Sequence, residues 1–322
     1  MKTLVTGSTG FIGSQLCRAL LEAGHDVRAF HRPNSSLRGL EGLEVEHATG
    51  DITQPDTLIP AMEGIEVVFH TAAWLGSGQS GKAYAVTVEG TRAVARAALQ
   101  AKVRRFVHTS SVAALGVPES GLPTLLNEDH TWNFPPQHYP YGYAKYLAEL
   151  EIQKAVAQGL DAVIVNPALV FGPGDIYRQS SSLVARVAQG KLGISVEGGI
   201  NVVHVADVIE GQLAALERGL TGQRYILGGT NMTHLALQQL IARLAGVTQP
   251  NLVLPGWLLR LQAGPVLMFE RFLNLPVEAS LFYLAGYHFY YDTSKARAVL
   301  GLGEPRPIED AIREALEWFM KK

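Results

Sequence analysis

Apolar residues in the first half of the chain fall into two kinds of pattern. Short consecutive runs lie at residues 4–5, 26–31, 43–47, 67–70 and 106–108. Longer stretches with apolar positions three or four apart lie at residues 11–24, 55–62, 82–101 and 141–157. The runs predict buried strands and the periodic stretches predict helices. Because the two kinds alternate, we predict an α/β fold with a doubly wound parallel sheet.

The alternation loosens after residue 175. Helical patterns then lie at residues 181–189, 206–216, 235–245, 265–273 and 308–319. Residues 252–291 are the most apolar part of the chain, but Arg260, Glu270, Arg271 and several prolines exclude a membrane span. We interpret this segment as core, with an apolar lid over a hydrophobic substrate or a subunit interface as the alternatives.

Three glycines connect the first strand to the first helix. Gly7, Gly10 and Gly13 are spaced G-x-x-G-x-x-G, and Phe11-Ile12 open the helix. Such a turn needs glycine where a side chain would clash, where the backbone approaches a phosphate and where helix packs on strand. The helix N-terminus then offers unpaired N–H groups to a pyrophosphate. The turn predicts a Rossmann-type dinucleotide site.

Side chains at other strand ends refine this prediction. Arg32 follows the second strand, where an acid would select NAD and an arginine accommodates the 2′-phosphate of NADP. Asp51 follows the third strand and is either an acceptor for the adenine amino group or a turn residue. Ala72 and Ala73 follow the fourth strand, where small residues let a cofactor pass close to the backbone. We therefore expect NADP, with NAD as the alternative.

A tyrosine and a lysine open the helix at residues 141–157. Tyr141 and Lys145 are four residues apart and share one helix face. A neighbouring ammonium favours the phenolate, so we expect Lys145 to lower the pKa of Tyr141 from about 10 toward the range useful for acid–base catalysis. Ser110 and Ser111 follow the fifth strand, at the edge of the sheet where open α/β sheets bind ligands.

Composition excludes several other classes of protein. The 322 residues carry a formal net charge of -2 and no polybasic block, so we expect neither a nucleic-acid nor a membrane partner. The single cysteine, Cys17, lies on the predicted buried side of the first helix. One cysteine and no signal-peptide pattern predict a cytoplasmic location. His204, His234 and His288 lack metal-ligand spacing, so we expect no metal site.

The chain resembles the extended short-chain dehydrogenases/reductases, the NAD-dependent epimerase/dehydratase family, in four features that follow one another along the sequence. They are the glycine turn, Asp51, Ser111 and the Tyr-x-x-x-Lys motif. Residues 166–175 and 201–208 resemble two later segments of that branch, so the resemblance covers nearly the whole chain. Residues 27–33 and 225–229 look most like dihydroflavonol 4-reductase-like and hopanoid-associated sugar epimerase-like proteins.

The resemblance implies roles for individual residues. Tyr141 becomes the catalytic acid/base, Lys145 its partner and a ligand of the nicotinamide ribose, and Ser111 the donor to the reacting oxygen. Two departures from the branch stand out, because Thr87 replaces its usual Asn and Asn166 replaces a frequent Arg. The implied cofactor contacts are Gly7, Gly10, Phe11, Ile12, Gly13, Arg32, Asp51, Ile52, Ala72, Ala73, Tyr141, Lys145, Pro167 and Val170.

The resemblance also implies two domains and a dimer. Residues 1–166 would bind NAD(P), with returning segments near 200–228 that edge the sheet. Residues 167–199 and 229–322 would form a smaller, mostly helical substrate-binding domain. Helices 82–101 and 141–157 would pair with their copies across a two-fold axis in a homodimer, through small residues such as Ala93, Ala97, Ala144 and Ala148. The same small residues suit packing on the sheet equally well.

Three functions remain open from the sequence. The first is a NADPH-dependent carbonyl reductase or alcohol oxidoreductase of the dihydroflavonol reductase-like type. The second is a nucleotide-sugar epimerase with tightly held NAD, for which Arg178, Arg186, Arg224 and Arg297 offer phosphate contacts. The third is a non-catalytic NADP-binding sensor, which an intact serine, tyrosine and lysine set disfavours.

Overall fold

Strands and helices alternate in the computed structural model, which describes residues 1–75, 80–120, 122–175, 181–270 and 279–320. In chain order the strands are β1 (Lys2–Thr6), β2 (Asp26–His31), β3 (Glu46–Thr49), β4 (Val67–His70), β5 (Arg105–Thr109), β6 (Leu125–Leu126), β7 (Ala162–Pro167), β8 (Leu169–Phe171), β9 (Ile194–Val196), β10 (Gly199–His204), β11 (Arg224–Leu227), β12 (Thr230–Thr233), β13 (Leu252–Leu254) and β14 (His288–Tyr291).

The helices complete the inventory of elements. They are α1 (Phe11–Glu22), α2 (Leu58–Ala61), α3 (Ser80–Ala83), α4 (Gly90–Gln100), α5 (Pro140–Ala157), α6 (Ser181–Ala188), α7 (Val205–Arg218), α8 (His234–Ala245), α9 (Gly256–Glu270), α10 (Ala279–Tyr283), α11 (Ser294–Leu300) and α12 (Ile308–Met320). A π-helical turn, Tyr84–Glu89, joins α3 to α4. In the described ranges no helix combines the length and the apolar character that a bilayer crossing requires.

The larger sheet has seven strands within the described residues, in the order β3-β2-β1-β4-β5-β7-β11, and every neighbouring pair is parallel. The chain therefore runs outward from β1 in one direction and then outward from β4 in the other. The predicted doubly wound sheet is confirmed. Its strand order reverses between β1 and β4, and open sheets bind ligands outside the carboxyl ends of the strands at such a point.

Helices cover both faces of this sheet. Val5, Phe69 and Val107 are completely buried on the face covered by α1 and α7. Leu4 and Phe106 are completely buried on the face packed against α4 and α5. Because successive side chains of a strand point to opposite faces, a strand buried on both faces needs an unbroken apolar run. Cys17 lies in the first of these cores, as predicted.

A second group of elements builds the smaller part of the molecule. Here β12, β10, β14 and β6 form a sheet with β8 beside β10, and β9 pairs with β13. Helices α6, α8 and α12 enclose a third apolar core. This part contains strands as well as helices, and the sequence pattern missed the short strands β6, β8, β9, β12, β13 and β14.

Several sequence predictions require correction. The segment at Val203 was expected to edge the large sheet with the segment at Tyr225. The latter forms β11 and does so, but the former lies in β10 at the centre of the smaller sheet. The reason is that the chain leaves the large sheet directly after β7 and forms β8, which pairs with β10.

Three element boundaries also differ from prediction. Strand β3 lies at Glu46–Thr49 rather than 43–47, because Glu46 pairs with Arg28 of β2 in register and in an ion pair. The predicted helix at 82–101 is interrupted by the π-helical turn. The predicted helix at 265–273 begins earlier, at Gly256, and residues 271–273 lie outside the described ranges.

Candidate active site

A cleft of about 2100 Å³ runs over the carboxyl ends of β1, β2, β4 and β5 and continues into the smaller part. Single ligands usually occupy pockets of roughly 300–1,000 Å³, so this space suits a cofactor and a substrate together. Its walls contain every residue that the sequence nominated for catalysis or cofactor binding except Lys145. The glycine turn, Arg32, Asp51, Ser111 and Tyr141 therefore meet in one place.

The glycine turn leaves a space that side chains would fill. Gly7 has φ +68°, and a Cβ there would lie 2.7 Å from the backbone nitrogen of Ala72. A Cβ on Gly13 would collide with the carbonyl of Gly7, so α1 packs on this turn only through glycine. Gly10 precedes α1 without a side-chain cap, which leaves the first N–H groups of the helix available. These features fit a dinucleotide pyrophosphate.

Arg32 and Asp51 lie at the same end of the cleft. Arg32 is exposed, and its carbonyl accepts a hydrogen bond from the Ser35 N–H at 3.1 Å in the turn after β2. Asp51 Oδ1 accepts hydrogen bonds from the Thr53 N–H at 2.9 Å and the Thr53 hydroxyl at 2.7 Å. Asp51 thus stabilises its own turn, the alternative left open by the sequence, while it also lines the cleft.

Thr87 occupies the position where the resemblance leads one to expect asparagine. Its hydroxyl accepts a hydrogen bond from the Trp74 N–H at 3.1 Å. One turn on, the Thr91 hydroxyl bonds to the Thr87 carbonyl and to the buried ring of His70. Thr87, whose side chain is shorter than that of asparagine, therefore holds the backbone after β4, beside Ala72 and Ala73.

Ser111 and Tyr141 both line the cleft, and the serine hydroxyl acts to lower the pKa of the tyrosine. Ser111 begins a short 3₁₀ turn, Val112–Leu115, and its Oγ also accepts from the Ala113 N–H at 3.2 Å. Tyr141 lies in the first turn of α5 and lines the cleft. The two hydroxyls thus point to one position where a substrate oxygen can bind both.

Lys145 lies one turn further along α5 and is 3% exposed. Its Nζ donates a hydrogen bond to the Thr109 carbonyl, at 3.0 Å, at the end of β5. Burial lowers the pKa of Lys145 to about 8, although the carboxylate of Glu149 acts in the opposite direction. The ammonium is placed behind the cleft, between the tyrosine and the sheet.

The expected lowering of the tyrosine pKa is wrong for this structure. Burial raises the pKa of Tyr141 above its usual value of 10, and the hydrogen bond with Ser111 offsets part of that rise. The ammonium of Lys145 does not reverse this rise, and it donates its hydrogen bond to the Thr109 carbonyl instead. At neutral pH Tyr141 therefore carries its proton and is suited to donate it.

A buried polar network supports the serine from behind. Asn166 is fully buried on β7, and its Nδ2 donates to the Ser111 carbonyl at 2.9 Å and to Glu149 Oε1 at 2.6 Å. Arg224 in turn donates to Glu149 Oε2 at 3.1 Å and to the Glu128 carbonyl at 2.7 Å. The sequence marked Asn166 as a departure from the family but did not identify its role.

None of the described arginines that were considered for phosphate contacts lines the cleft. Arg224 belongs to the network behind Ser111, and Arg297 pairs with Glu304. Arg186 is exposed on α6, away from the described cleft lining, and Arg178 lies outside the described residues. Sequence position alone did not distinguish a ligand-facing arginine from one committed to structure.

Gly142 is a second residue that sequence reasoning missed. A Cβ there would lie 2.8 Å from the Ala113 carbonyl and 2.7 Å from the ring of Tyr139. Glycine at this position lets α5 approach the turn that carries Ser111. The sequence could have indicated this role, because helix propensity disfavours glycine in the first turn of a long helix unless packing requires it.

The far end of the cleft is formed by the smaller part and is mainly apolar. Among the described lining residues, formally charged side chains occur only at Arg32 and Asp51, both at the opposite end. The apolar lining residues of the smaller part include Leu169, Val170, Leu183, Val196, Ile200, Leu259, Leu281, Phe282, Leu284 and Phe289.

A glycine-lined dinucleotide cleft that also contains Ser111 and Tyr141 defines the class of nicotinamide-dependent oxidoreductases. Residues 3–228 match the model of the NAD dependent epimerase/dehydratase family. The chain belongs to this family and to the extended short-chain dehydrogenases/reductases within it, as the motifs predicted. It is an NAD(P)-dependent oxidoreductase.

Individual relatives match over nearly their full length. The chain is 34% identical to sterol demethylase protein B of Methylococcus capsulatus, covering 100% of this chain and 99% of that protein. It is also 34% identical to a putative dihydroflavonol 4-reductase of Synechocystis, covering 98% and 93%. The crystal structure of gox2253 superposes with a TM-score of 0.87 at 36% identity, covering 99% and 98%.

Proposed function

We propose that this protein is a NADPH-dependent carbonyl reductase of the dihydroflavonol reductase-like type, acting on a largely apolar ketone or the matching secondary alcohol. One observation supports this most strongly. The cleft joins the glycine turn and the Ser111–Tyr141 pair to a compartment whose described lining is uncharged. Arg32 at the end of β2, with no acid there, favours NADP over NAD.

The residues divide the chemical work among them. A bound nicotinamide supplies the hydride for reduction and accepts it for oxidation. Ser111 donates a hydrogen bond to the substrate oxygen and orients it, while Tyr141 transfers its proton to that oxygen during reduction. In oxidation Tyr141 takes the proton back. Lys145 supplies a positive charge beside the tyrosine and holds the nicotinamide ribose.

A nucleotide-sugar epimerase fits this cleft less well. Its substrate carries a diphosphate, and arginine or lysine side chains are the usual partners of that group. Neither residue type lines the described substrate end of the cleft. A non-catalytic sensor is disfavoured because it has no use for Ser111 and Tyr141 together in the lining of the cleft.

We propose the division of labour that the resemblance implies, with residues 1–166 binding the cofactor and residues 167–199 and 229–322 forming the substrate side. The homodimer stays a prediction. Three of the small residues considered for its interface, Ala97, Ala144 and Ala148, are buried within the single chain. Their packing is therefore accounted for without a second copy.

The purified protein tests the proposed function directly. We expect it to be isolated without tightly held NAD, to bind NADPH and to oxidise NADPH in the presence of apolar ketones. Absorbance at the nicotinamide band and mass analysis of nucleotide released on denaturation measure these points. Stoichiometric NAD that survives purification, with interconversion of sugar nucleotides, would favour the epimerase instead.

Arg32→Ala tests the choice of cofactor. A charge-assisted hydrogen bond to the 2′-phosphate is worth about 1–3 kcal/mol, so the variant should bind NADP about five- to 150-fold more weakly and NAD almost as before. Titration of both nucleotides by fluorescence measures the two affinities. An equal loss for NAD and NADP would assign Arg32 to the structure of the turn rather than to the phosphate.

A further inference from the structure

The apolar end of the cleft contains a pair of polar side chains on α8. His234 and Gln238 are four residues apart, so they lie on one face of this helix, and both line the cleft. Around them, the described lining contributed by the smaller part is apolar apart from Ser280 and Tyr291. His234 and Gln238 thus contribute hydrogen-bonding groups to an otherwise apolar compartment.

The amide of Gln238 has an unmet hydrogen bond. Its Oε1 is shielded from solvent and has no partner within the described residues. An unpaired buried acceptor is destabilising, and native proteins retain such groups mainly where they serve a function. Gln239, the next residue, shows the ordinary arrangement, since its Nε2 donates to the Pro250 carbonyl at 3.0 Å.

His234 is suited to act with Gln238. Its backbone N–H donates to the Gly198 carbonyl at 3.2 Å, which anchors the start of α8. Burial, reinforced by the neighbouring His288, lowers the pKa of His234 to about 4. The ring is therefore neutral at physiological pH and offers one donor and one acceptor.

The pair and the reacting groups belong to opposite sides of the cleft. Helix α8 packs against α6, α12, β9 and β12, all in the smaller part. Ser111 and Tyr141 belong to the larger part, at the end of β5 and the start of α5. A substrate whose reacting oxygen binds at Ser111 and Tyr141 extends toward α8 through apolar walls.

We propose that Gln238 and His234 form a second polar anchor, which binds a hydroxyl group at the end of the substrate remote from the reacting carbon. This rests on the proposed reductase function and narrows its substrate to an elongated, apolar carbonyl compound with a distal hydroxyl. The amide of Gln238 turns toward the cleft and accepts from this hydroxyl at Oε1, and the N–H of the His234 ring donates to the hydroxyl oxygen.

Matched probes separate this anchor from general apolar binding. The probes are methyl alkyl ketones of increasing chain length, each compared with its ω-hydroxy counterpart. Binding to the NADP-loaded enzyme is measured by calorimetry, and NADPH-dependent turnover is measured separately. The variants are Gln238→Leu, His234→Phe and the control Gln239→Leu, which replaces the same residue type on the same helix outside the cleft lining.

At the best chain length, we expect the wild type to bind the hydroxy ketone about three- to tenfold more tightly than the parent ketone. Gln238→Leu should bring this ratio to about one and His234→Phe should reduce it, while Gln239→Leu keeps it. NADP affinity shows that each variant is folded.

Three results would overturn the anchor. They are a ratio near one for the wild type at every length, no binding of either probe, and an unchanged ratio in Gln238→Leu. Binding with the expected ratio but without turnover would instead contradict the reductase.

Discussion

Tyr141→Phe is expected to lower turnover by at least ~10²–10⁴-fold while the fold and the cofactor affinity persist. The substitution keeps the ring and removes only the hydroxyl that carries the transferable proton. Steady-state reduction of any accepted ketone, with NADPH binding measured in parallel, tests this. Ser111→Ala should have a smaller effect, because water can partly replace the hydrogen bond that the serine makes to the substrate oxygen. The double variant should be little worse than Tyr141→Phe, since both residues act on one oxygen.

Tyr143→Phe is the matched control. Tyr143 also lines the cleft and lies two residues after Tyr141 in α5. Its ring packs on Trp132 with centroids 5.4 Å apart, and phenylalanine retains that contact. We expect most of the activity to remain. Loss of turnover in Tyr143→Phe with activity retained in Tyr141→Phe would mean that the mechanism is assigned to the wrong tyrosine.

Lys145→Met is expected to reduce both turnover and cofactor affinity. Turnover should fall by about 10²-fold or more because the charge beside Tyr141 is lost. Affinity should fall roughly tenfold or more because a hydrogen bond from a charged group is lost. The side chain is almost fully buried and donates to the Thr109 carbonyl, so methionine fills the same space without the ammonium. Kinetics and nucleotide titration of the same samples separate the two losses.

Lys154→Met provides the control on the same helix. Its ammonium pairs with Glu151 and its side chain is 65% exposed, so removal of this charge should leave turnover nearly unchanged. Equal losses in the two variants would point to a general charge effect on α5 rather than to a specific role for Lys145.

The lowered pKa of Lys145 also predicts a pH dependence. Its pKa is about 8, so the ammonium is present below that pH and lost above it. The value of kcat/KM for the cofactor should therefore be flat below about pH 8 and decline above it. In Lys145→Arg the guanidinium keeps its proton, and the decline should disappear. A decline that persists in Lys145→Arg would assign it to another group.

The sequence by itself determined the features whose cause is local. The glycine turn could be predicted because the positive φ of Gly7 and the close packing of Gly13 need glycine whatever surrounds them. Strands β1, β2, β4 and β5 showed as apolar runs because they are almost wholly buried on both faces. Tyr141 and Lys145 could be placed on one helix face from their spacing alone. These features sufficed to indicate the family and the fold.

Only the tertiary structure decided the properties that depend on distant neighbours. Arg224 is contributed by an edge strand and contacts Glu149 of α5, 75 residues away, so its commitment to structure leaves no trace in its local sequence. The pKa of Tyr141 is raised rather than lowered because of burial, which no spacing encodes. The unpaired amide of Gln238 in an apolar wall depends on the packing of α8 against the smaller sheet. Local periodicity follows from backbone geometry, whereas burial and electrostatic partners arise only when segments far apart in the chain are packed together.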